Sequence, residues 1–254
     1  MKSFKNKFIY LFIISIFIIF ILILFLVLKK KGVIDNFDTP KNKYTIVEKI
    51  HDNLFKNYDK STEKSERIGI IRNLKPTDVV LEIGGNIGGV SEVIASIVNP
   101  NNFVVVEPSF LACKHLKDHL RNKTKKNFHI FNGVIYDGIN KIECSQPNKL
   151  EDYCSCNITN SPKNTNNKTF NEIQNLYNLN FNVLVIDCEG CYTSFFKYLK
   201  DKNMLKNIEK IFIEWDGEFM EDFLEKNGFL LIDYIDHGSL ENGVRTYLNS
   251  NYNK

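Results

Sequence analysis

The sequence lacks a strong charge of either sign. Its 33 lysine and arginine residues against 30 aspartate and glutamate residues leave a formal net charge of +3 over 254 residues. Six of the 29 lysine residues lie within the first 31 residues. Because so small a charge creates no extended basic field, we expect no nucleic-acid partner. Apolar residues at 43% and charged residues at 25% are ordinary for a globular chain.

A second absence is that of any charge between Phe8 and Leu28. At about 1.5 Å per residue, a helix of this length spans roughly 32 Å, which matches the hydrocarbon core of a bilayer. A signal peptide is the alternative, but its apolar stretch is usually shorter and ends in a small-residue cleavage site. We therefore predict one N-terminal transmembrane helix, within an anchor segment 1–31, that contacts the membrane through residues 8–28.

The flanks of this apolar run give little information on orientation. Three lysines precede it and three follow it, so the positive-inside rule sees near symmetry. A single N-terminal span most often leaves the N-terminus in the cytosol, which favours a single-pass membrane protein with a lumenal domain. Glycosylation sequons at Asn122, Asn157 and Asn167 would be modified only in that compartment. Residues 32–43 predict a linker, and residues 44–254 the folded domain.

From Pro76 onward, short apolar runs alternate with segments of helical period. The predicted strands are "DVVLEI", "FVVVE", "FHIFNGVIY", "FNVLVIDCE" and "IEKIFIEWD", followed by "FLLIDYID" and "VRTYLNS" around a turn. Such alternation predicts an α/β fold with a Rossmann-like, doubly wound, mostly parallel sheet. The last two runs predict a C-terminal antiparallel hairpin. Residues 137–170 interrupt the alternation with a long polar excursion, either a functional loop or a disordered insertion.

The glycine-rich loop after the first strand, in "VVLEIGGNIGGVSE", lacks the residues that bind phosphate. No Gly-Lys-Ser/Thr follows it, which excludes a Walker motif. Asn86 occupies the place of the second glycine of the dinucleotide fingerprint. Glu82 adds a negative charge where a pyrophosphate would lie. The loop is therefore unsuited to a nicotinamide dinucleotide.

A carboxylate at this position suits a cationic ligand. S-adenosylmethionine carries an ammonium group and a sulfonium group and no phosphate. Glu82 would order the loop or attract the ammonium, while Gly84 and Gly88 would let the backbone approach the ligand. Glu107 ends the second strand, where an acid accepts hydrogen bonds from ribose hydroxyls. We predict S-adenosylmethionine as the cofactor, bound by these residues and Asn86.

Four segments together resemble the FkbM-type S-adenosylmethionine-dependent methyltransferases: "LEIGGNIGG", "VVVEP", "VIDCEG" and "IFIEWDG". The similarity covers residues 76–249 and implies a class I methyltransferase fold and O-methylation of a hydroxyl on a sugar, a glycan or a small molecule. Tyr192 stands where the family often has glutamate, and the excursion is longer than usual. These departures leave an alternative of another class, a degenerate methyltransferase scaffold that binds a glycan or a protein without catalysis.

Two acids at the end of the fourth strand are the predicted catalytic residues. Asp187 and Glu189 are two positions apart, so an extended backbone points them to the same face. A carboxylate there can take the proton of a hydroxyl acceptor. Asp187 is the first choice and Glu189 the second; the alternative is that both cap the next helix or order the loop.

The fifth strand ends in Glu214 and Asp216, which could line the acceptor side, with Trp215 between them. Trp215 would stack on a sugar or adenine, or pack in the core. His237 is predicted to be a surface residue. Acids at three strand ends could hold a divalent cation, but no histidine or cysteine cluster supports one, so no metal site is predicted.

The six cysteines give no redox motif. Cys188 and Cys191 form a C-x-x-C, but this chain does not have the thioredoxin-like pattern, and we predict that they pack as small residues beside the strand. Cys144, Cys154 and Cys156 cluster in the excursion, where one pair would form a disulfide in an oxidising lumen.

Overall fold

The structure is a computed structural model that describes residues 63–124, 128–150, 154–188, 190–215, 220–239 and 242–252. In chain order its helices and strands are α1 (Lys64–Asn73), β1 (Val80–Ile83), α2 (Gly89–Ile97), β2 (Phe103–Glu107), α3 (Phe110–Thr124), β3 (His129–Asn132), β4 (Val134–Ile135), β5 (Ile142–Cys144), β6 (Cys156–Ile158), β7 (Asn167–Lys168), α4 (Phe170–Tyr177), β8 (Val183–Ile186), α5 (Tyr192–Asp201), β9 (Lys210–Glu214), α6 (Glu221–Lys226), β10 (Phe229–Ser239) and β11 (Asn242–Asn249). Short 3₁₀ turns at Pro100–Asn102 and Leu205–Asn207 precede β2 and β9.

The main sheet has seven strands within the described residues, in the order β10-β11-β9-β8-β1-β2-β3. Strands β3, β2, β1, β8 and β9 run parallel to one another. Strand β11 runs antiparallel to both β9 and β10, so the C-terminal hairpin closes the sheet. This arrangement confirms the predicted mostly parallel α/β sheet with its antiparallel hairpin, and it is consistent with a class I methyltransferase fold.

Helices cover both faces of the sheet. Helices α1 to α3 pack on one face through residues such as Ile70, Val93 and Leu116. Helices α4 to α6 pack on the other through residues such as Ile173 and Phe196. Because both faces are covered, β1, β2 and β8 are buried along their whole length, which explains their continuous apolar sequences. The sheet is therefore doubly wound, as predicted.

The chain changes direction across the sheet between β1 and β8. After β1 it adds β2 and β3 on one side, and it later returns to add β8 and β9 on the other. The carboxyl ends of β1 and β8 thus meet at a topological switch point, where open α/β sheets bind ligands.

The excursion at 137–170 is ordered where it is described, which the polar sequence did not predict. Strands β5 and β6 pair antiparallel, and a disulfide joins their paired residues Cys144 and Cys156. The third predicted strand is also split. Strand β3 ends at Asn132, and β4 leaves the main sheet to pair with β7. The predicted disulfide of the excursion is thus formed by Cys144 and Cys156, and the strand pairs β5–β6 and β4–β7 add backbone hydrogen bonds between residues far apart in the chain.

The predicted transmembrane helix, the linker and the boundaries at 31 and 43 lie outside the described residues. Among residues that are described, no helix is long and apolar enough to cross a membrane. The anchor and its orientation therefore stay predictions.

Candidate active site

A small cavity lies at the switch point, where β1, β8 and β9 end. It is lined by residues of these strand ends, by Glu66 and Ile70 of α1, and by Glu63, which precedes α1. Glu66 and Ile70 are four residues apart, so they lie on one helix face. The cavity encloses about 20 Å³, which is enough for a water molecule or a metal ion but not for a nucleoside. Five carboxyl groups line it: Glu63, Glu66, Glu82, Asp187 and Glu214.

The glycine loop packs tightly against the rest of the chain. Gly84 has φ +94°, and a Cβ there would lie 1.6 Å from the carbonyl oxygen of Asp187. A Cβ at Gly88 would lie 2.6 Å from a methyl group of Leu116. We expected these two glycines to let the backbone approach a ligand. The structure adds that neither position has room for a Cβ within the protein, and the contact with a ligand stays a prediction.

Asn86 adopts φ +43° at the tip of this loop. Asparagine tolerates this left-handed conformation better than most residues, so it can stand where a dinucleotide-binding loop has glycine. The Asn86 backbone N–H donates to Oε2 of Glu107 at 2.9 Å. The loop is thus held to the end of β2 by a side chain that the sequence suggested for another purpose.

Glu107 is buried at the carboxyl end of β2. Besides Asn86, the backbone N–H of Ser109 donates to its Oε1 at 2.7 Å. Burial raises the pKa of Glu107, and these two hydrogen bonds act to lower it. Each carboxylate oxygen can accept a further hydrogen bond, so ribose binding by Glu107 is compatible with this geometry and stays a prediction.

Glu82 lies in β1 and is only 2% exposed. The Ser91 hydroxyl on α2 donates to its Oε2 at 2.5 Å. Burial raises the pKa of Glu82 to about 8, although the hydrogen bond from Ser91 acts in the opposite direction. At neutral pH this group therefore holds a proton. It ties β1 to α2, and its predicted contact with the ammonium group of a ligand stays a prediction.

Asp187 follows β8 directly, and its backbone N–H donates to the Ile83 carbonyl at 3.0 Å. This bond fixes it beside the glycine loop, and its side chain lines the cavity. The structure thus brings Glu82, Gly84 and Asp187 together. Asn86 and Glu107 lie at the neighbouring β2 end, while Gly88 precedes α2. Glu189 lies outside the described residues.

Glu66 is a site residue that sequence reasoning missed. It is 5% exposed, and its two carboxyl oxygens accept no hydrogen bond from a described donor. Burial, followed by the negative charge of Asp187, raises its pKa well above the ordinary value. Carboxylate oxygens of Glu66, Asp187 and Glu214 all lie within 4.8 Å of one another. The sequence signal that could have identified Glu66 was its position four residues before Ile70, which places both side chains on one helix face.

Trp215, which was suggested either to stack on a ligand or to pack in the core, belongs to the core. Trp215 is 1% exposed and packs edge-to-face on Tyr192, with ring centroids 4.9 Å apart. Tyr192 is itself buried and contacts Phe196. The departure at Tyr192 from the family pattern therefore changes the core and not the cavity. Asp216 and the His237 side chain lie outside the described part of the chain.

Cys188 and Cys191 are joined by a disulfide. We predicted that they pack as small residues beside the strand, and both are partly buried against the core; the disulfide between them was not predicted. The bond closes the segment between Asp187 and the start of α5, where the local chain reversal brings the two thiols together.

Comparison with known proteins gives a fold likeness only. No model of a known protein family matches the sequence, and no curated protein is detectably similar to it. Among solved structures, an rRNA methylase from Streptococcus thermophilus is 9% identical, with a TM-score of 0.45 over 72% of this chain and 93% of that one. TrmK of M. capricolum, bound to S-adenosylhomocysteine, is 10% identical, with a TM-score of 0.45 over 74% and 69%.

A third solved structure is magnesium protoporphyrin IX methyltransferase from Synechocystis, bound to S-adenosylmethionine. It is 8% identical, with a TM-score of 0.45 over 74% of this chain and 78% of that one. These likenesses are too distant to carry an argument about function.

Proposed function

We propose that this chain is an S-adenosylmethionine-dependent methyltransferase of the FkbM type. Its acceptor would be a hydroxyl on a sugar, a glycan or a small molecule, reached by a domain anchored to a membrane through residues 8–28. The observation that carries the proposal is the carboxyl-lined cavity beneath a glycine loop that has no phosphate-binding residues.

The carboxyl groups of the cavity suit a cationic, hydrogen-bonding ligand. Five carboxyl groups line it, and the one ion pair described there joins Glu63 to Arg67 at 3.6 Å. Burial raises the pKa of Glu63, Glu66 and Glu82, so the wall holds fewer than five negative charges, but its carboxyl oxygens can accept hydrogen bonds from an ammonium group. The donor set therefore fits the cationic end of S-adenosylmethionine, although the enclosed 20 Å³ takes only that end. Glu107 and Asn86 are the residues that would meet its nucleoside.

The chain's own residues would then position the acceptor and remove its proton. When bound, S-adenosylmethionine supplies a methyl group that is already activated as a sulfonium. Asp187 lines the cavity beside the glycine loop and can accept the proton of the acceptor hydroxyl. General-base assistance of this kind contributes about 10²–10⁴-fold to a rate. The closely packed loop and strand ends hold Asp187 in place, so alignment needs little reorganisation.

Calorimetric titration of the purified full-length chain with S-adenosylmethionine tests the donor. We expect a dissociation constant on the order of 10–100 μM for the wild type. Glu107→Ala should bind at least about tenfold more weakly. Glu225→Ala, an exposed change on α6, is the matched control and should bind like the wild type. Absence of binding at millimolar donor would refute the proposal.

The acceptor is tested by transfer of a labelled methyl group to a cell extract that is then separated into glycan, lipid, protein and RNA. Label in the glycan or small-molecule fraction is expected, and its loss in Asp187→Asn would support the proposed base. Label in RNA would contradict both the acceptor proposed and the prediction of no nucleic-acid partner. Partner binding without methyl transfer, unaffected by Glu107→Ala and Asp187→Asn, would favour the non-catalytic alternative.

A further inference from the structure

The buried carboxyl group of Glu66 is surrounded by other acids. Both oxygens are inaccessible to solvent and accept no hydrogen bond from a described donor, and burial, together with the Asp187 charge and contact with the Glu214 side chain, raises the pKa of Glu66. A buried carboxyl group of this kind must share a proton with its neighbours, pair with a cation or bind a metal ion. The neighbours that approach it are carboxylates, Asp187 and Glu214. These acids add negative charge at the same point.

The three acids come from separate elements that the fold brings together. Glu66 lies in α1, Asp187 follows β8, and Glu214 ends β9. Their oxygens lie within 4.8 Å of one another. In an oxygen-ligated site with metal–oxygen distances of about 2.1 Å for Mg²⁺ or 2.4 Å for Ca²⁺, opposite ligands are about 4.2–4.8 Å apart. One ion can therefore contact all three carboxylates.

We propose that Glu66, Asp187 and Glu214 form a binding site for a hard divalent cation such as Mg²⁺, Mn²⁺ or Ca²⁺. The ligands are carboxylate oxygens, which favour these ions over softer metals. The adjoining cavity of about 20 Å³ has room for the ion or for a water molecule bound to it. This assignment goes against the sequence-based expectation of no metal site, which looked for histidine and cysteine ligands.

The ion would occupy space that the proposed function gives to the methyl donor. Since the ion would fill the cavity assigned to the cationic end of S-adenosylmethionine, the donor and the ion would compete for it. Binding of the ion by itself does not require methyl transfer.

The test is titration of the purified full-length chain with Mn²⁺, with no methyl donor present. Free Mn²⁺ is followed by its electron paramagnetic resonance signal. We expect one Mn²⁺ per chain, with a dissociation constant of about 1 mM or lower, the range of weak carboxylate sites. Mg²⁺ and Ca²⁺ should displace it. Failure of the wild type to bind Mn²⁺ below about 10 mM would overturn the proposal.

Glu66→Gln keeps the shape of the side chain and removes one anionic ligand. It should weaken Mn²⁺ binding at least about tenfold, which is a difference of about 1.4 kcal/mol. Glu63→Gln is the matched control, since Glu63 lines the same cavity but is outside the cluster of three. It should change the affinity by less than about threefold. Equal losses in both variants, or none in Glu66→Gln, would place the ion elsewhere and overturn the assignment.

Thermal unfolding provides a second readout. Mn²⁺ should raise the midpoint of the wild type and of Glu63→Gln, and leave that of Glu66→Gln nearly unchanged, because only a bound ligand stabilises the fold. If Glu66→Gln unfolds in the purified state, Glu214→Gln takes its place with the same expected result. Since the donor is absent throughout, failure of the proposed methyl transfer leaves these outcomes intact.

Discussion

Replacement of Glu82 by glutamine tests the electrostatics of the cavity wall. Burial raises the pKa of Glu82 from 4.5 to about 8 in the fold. Each whole pKa step corresponds to about 1.4 kcal/mol, so ionising Glu82 costs the folded chain on the order of 5 kcal/mol relative to the unfolded one. Glutamine cannot ionise, and it retains a group that can hydrogen-bond to Ser91.

The sign of the pH dependence follows from proton binding. Between pH 4.5 and pH 8 the unfolded chain releases the Glu82 proton while the folded chain keeps it. Stability therefore falls as pH rises through this window, by about 1.4 kcal/mol per pH unit from this group alone. Between pH 5 and pH 7, the difference in unfolding free energy between Glu82→Gln and the wild type should therefore shift by about 3 kcal/mol in favour of the variant.

Urea unfolding of both full-length proteins, in mild detergent at pH 5, 6 and 7, measures this difference. Glu225→Gln, which removes an exposed carboxyl group from α6, is the control for the loss of one acid. A gap between the wild type and Glu82→Gln that stays constant with pH would refute the reasoning. It would mean that Glu82 is ionised in the fold.

Two other changes test interactions that hold the fold, one beside the site and one at the opposite edge of the sheet. Gly84→Ala should cost at least about 3 kcal/mol of stability or prevent folding, because the new Cβ would overlap the Asp187 carbonyl. Gly190→Ala is its control, with φ +84° but open space around the Cβ, and should cost only about 1–2 kcal/mol in the same urea assay. Lys210→Met should cost about 3–5 kcal/mol by leaving Asp78 charged and buried without its partner. The double variant with Asp78→Asn should recover part of that loss.

The strands were predictable because their signal is local. A buried parallel strand needs apolar residues at every position, and the run ending at Ile83 has that pattern in the sequence itself. The hairpin was predictable for a similar reason, since two apolar runs flank a turn sequence. Strand β4 was not, because its departure depends on pairing with β7, about thirty residues later in the chain.

The glycine loop illustrates the limit of a motif. The sequence shows that small residues are required at Gly84 and Gly88, but not by what. In the fold, the Asp187 carbonyl and the Leu116 side chain occupy the space that a Cβ would need. Glu107 was likewise predicted to contact a ligand, and the structure adds that its carboxylate accepts a hydrogen bond from the backbone N–H of Asn86.

The sequence by itself determined the α/β pattern, the position of the glycine loop, and the absence of phosphate-binding chemistry, because these depend on neighbouring residues. It also predicts the membrane anchor by length and lack of charge. Only the tertiary structure decided that Glu66 joins Asp187 and Glu214, and that Trp215 belongs to the core. These contacts join residues far apart in the chain, and a helix surface position carries no local mark of what will pack against it.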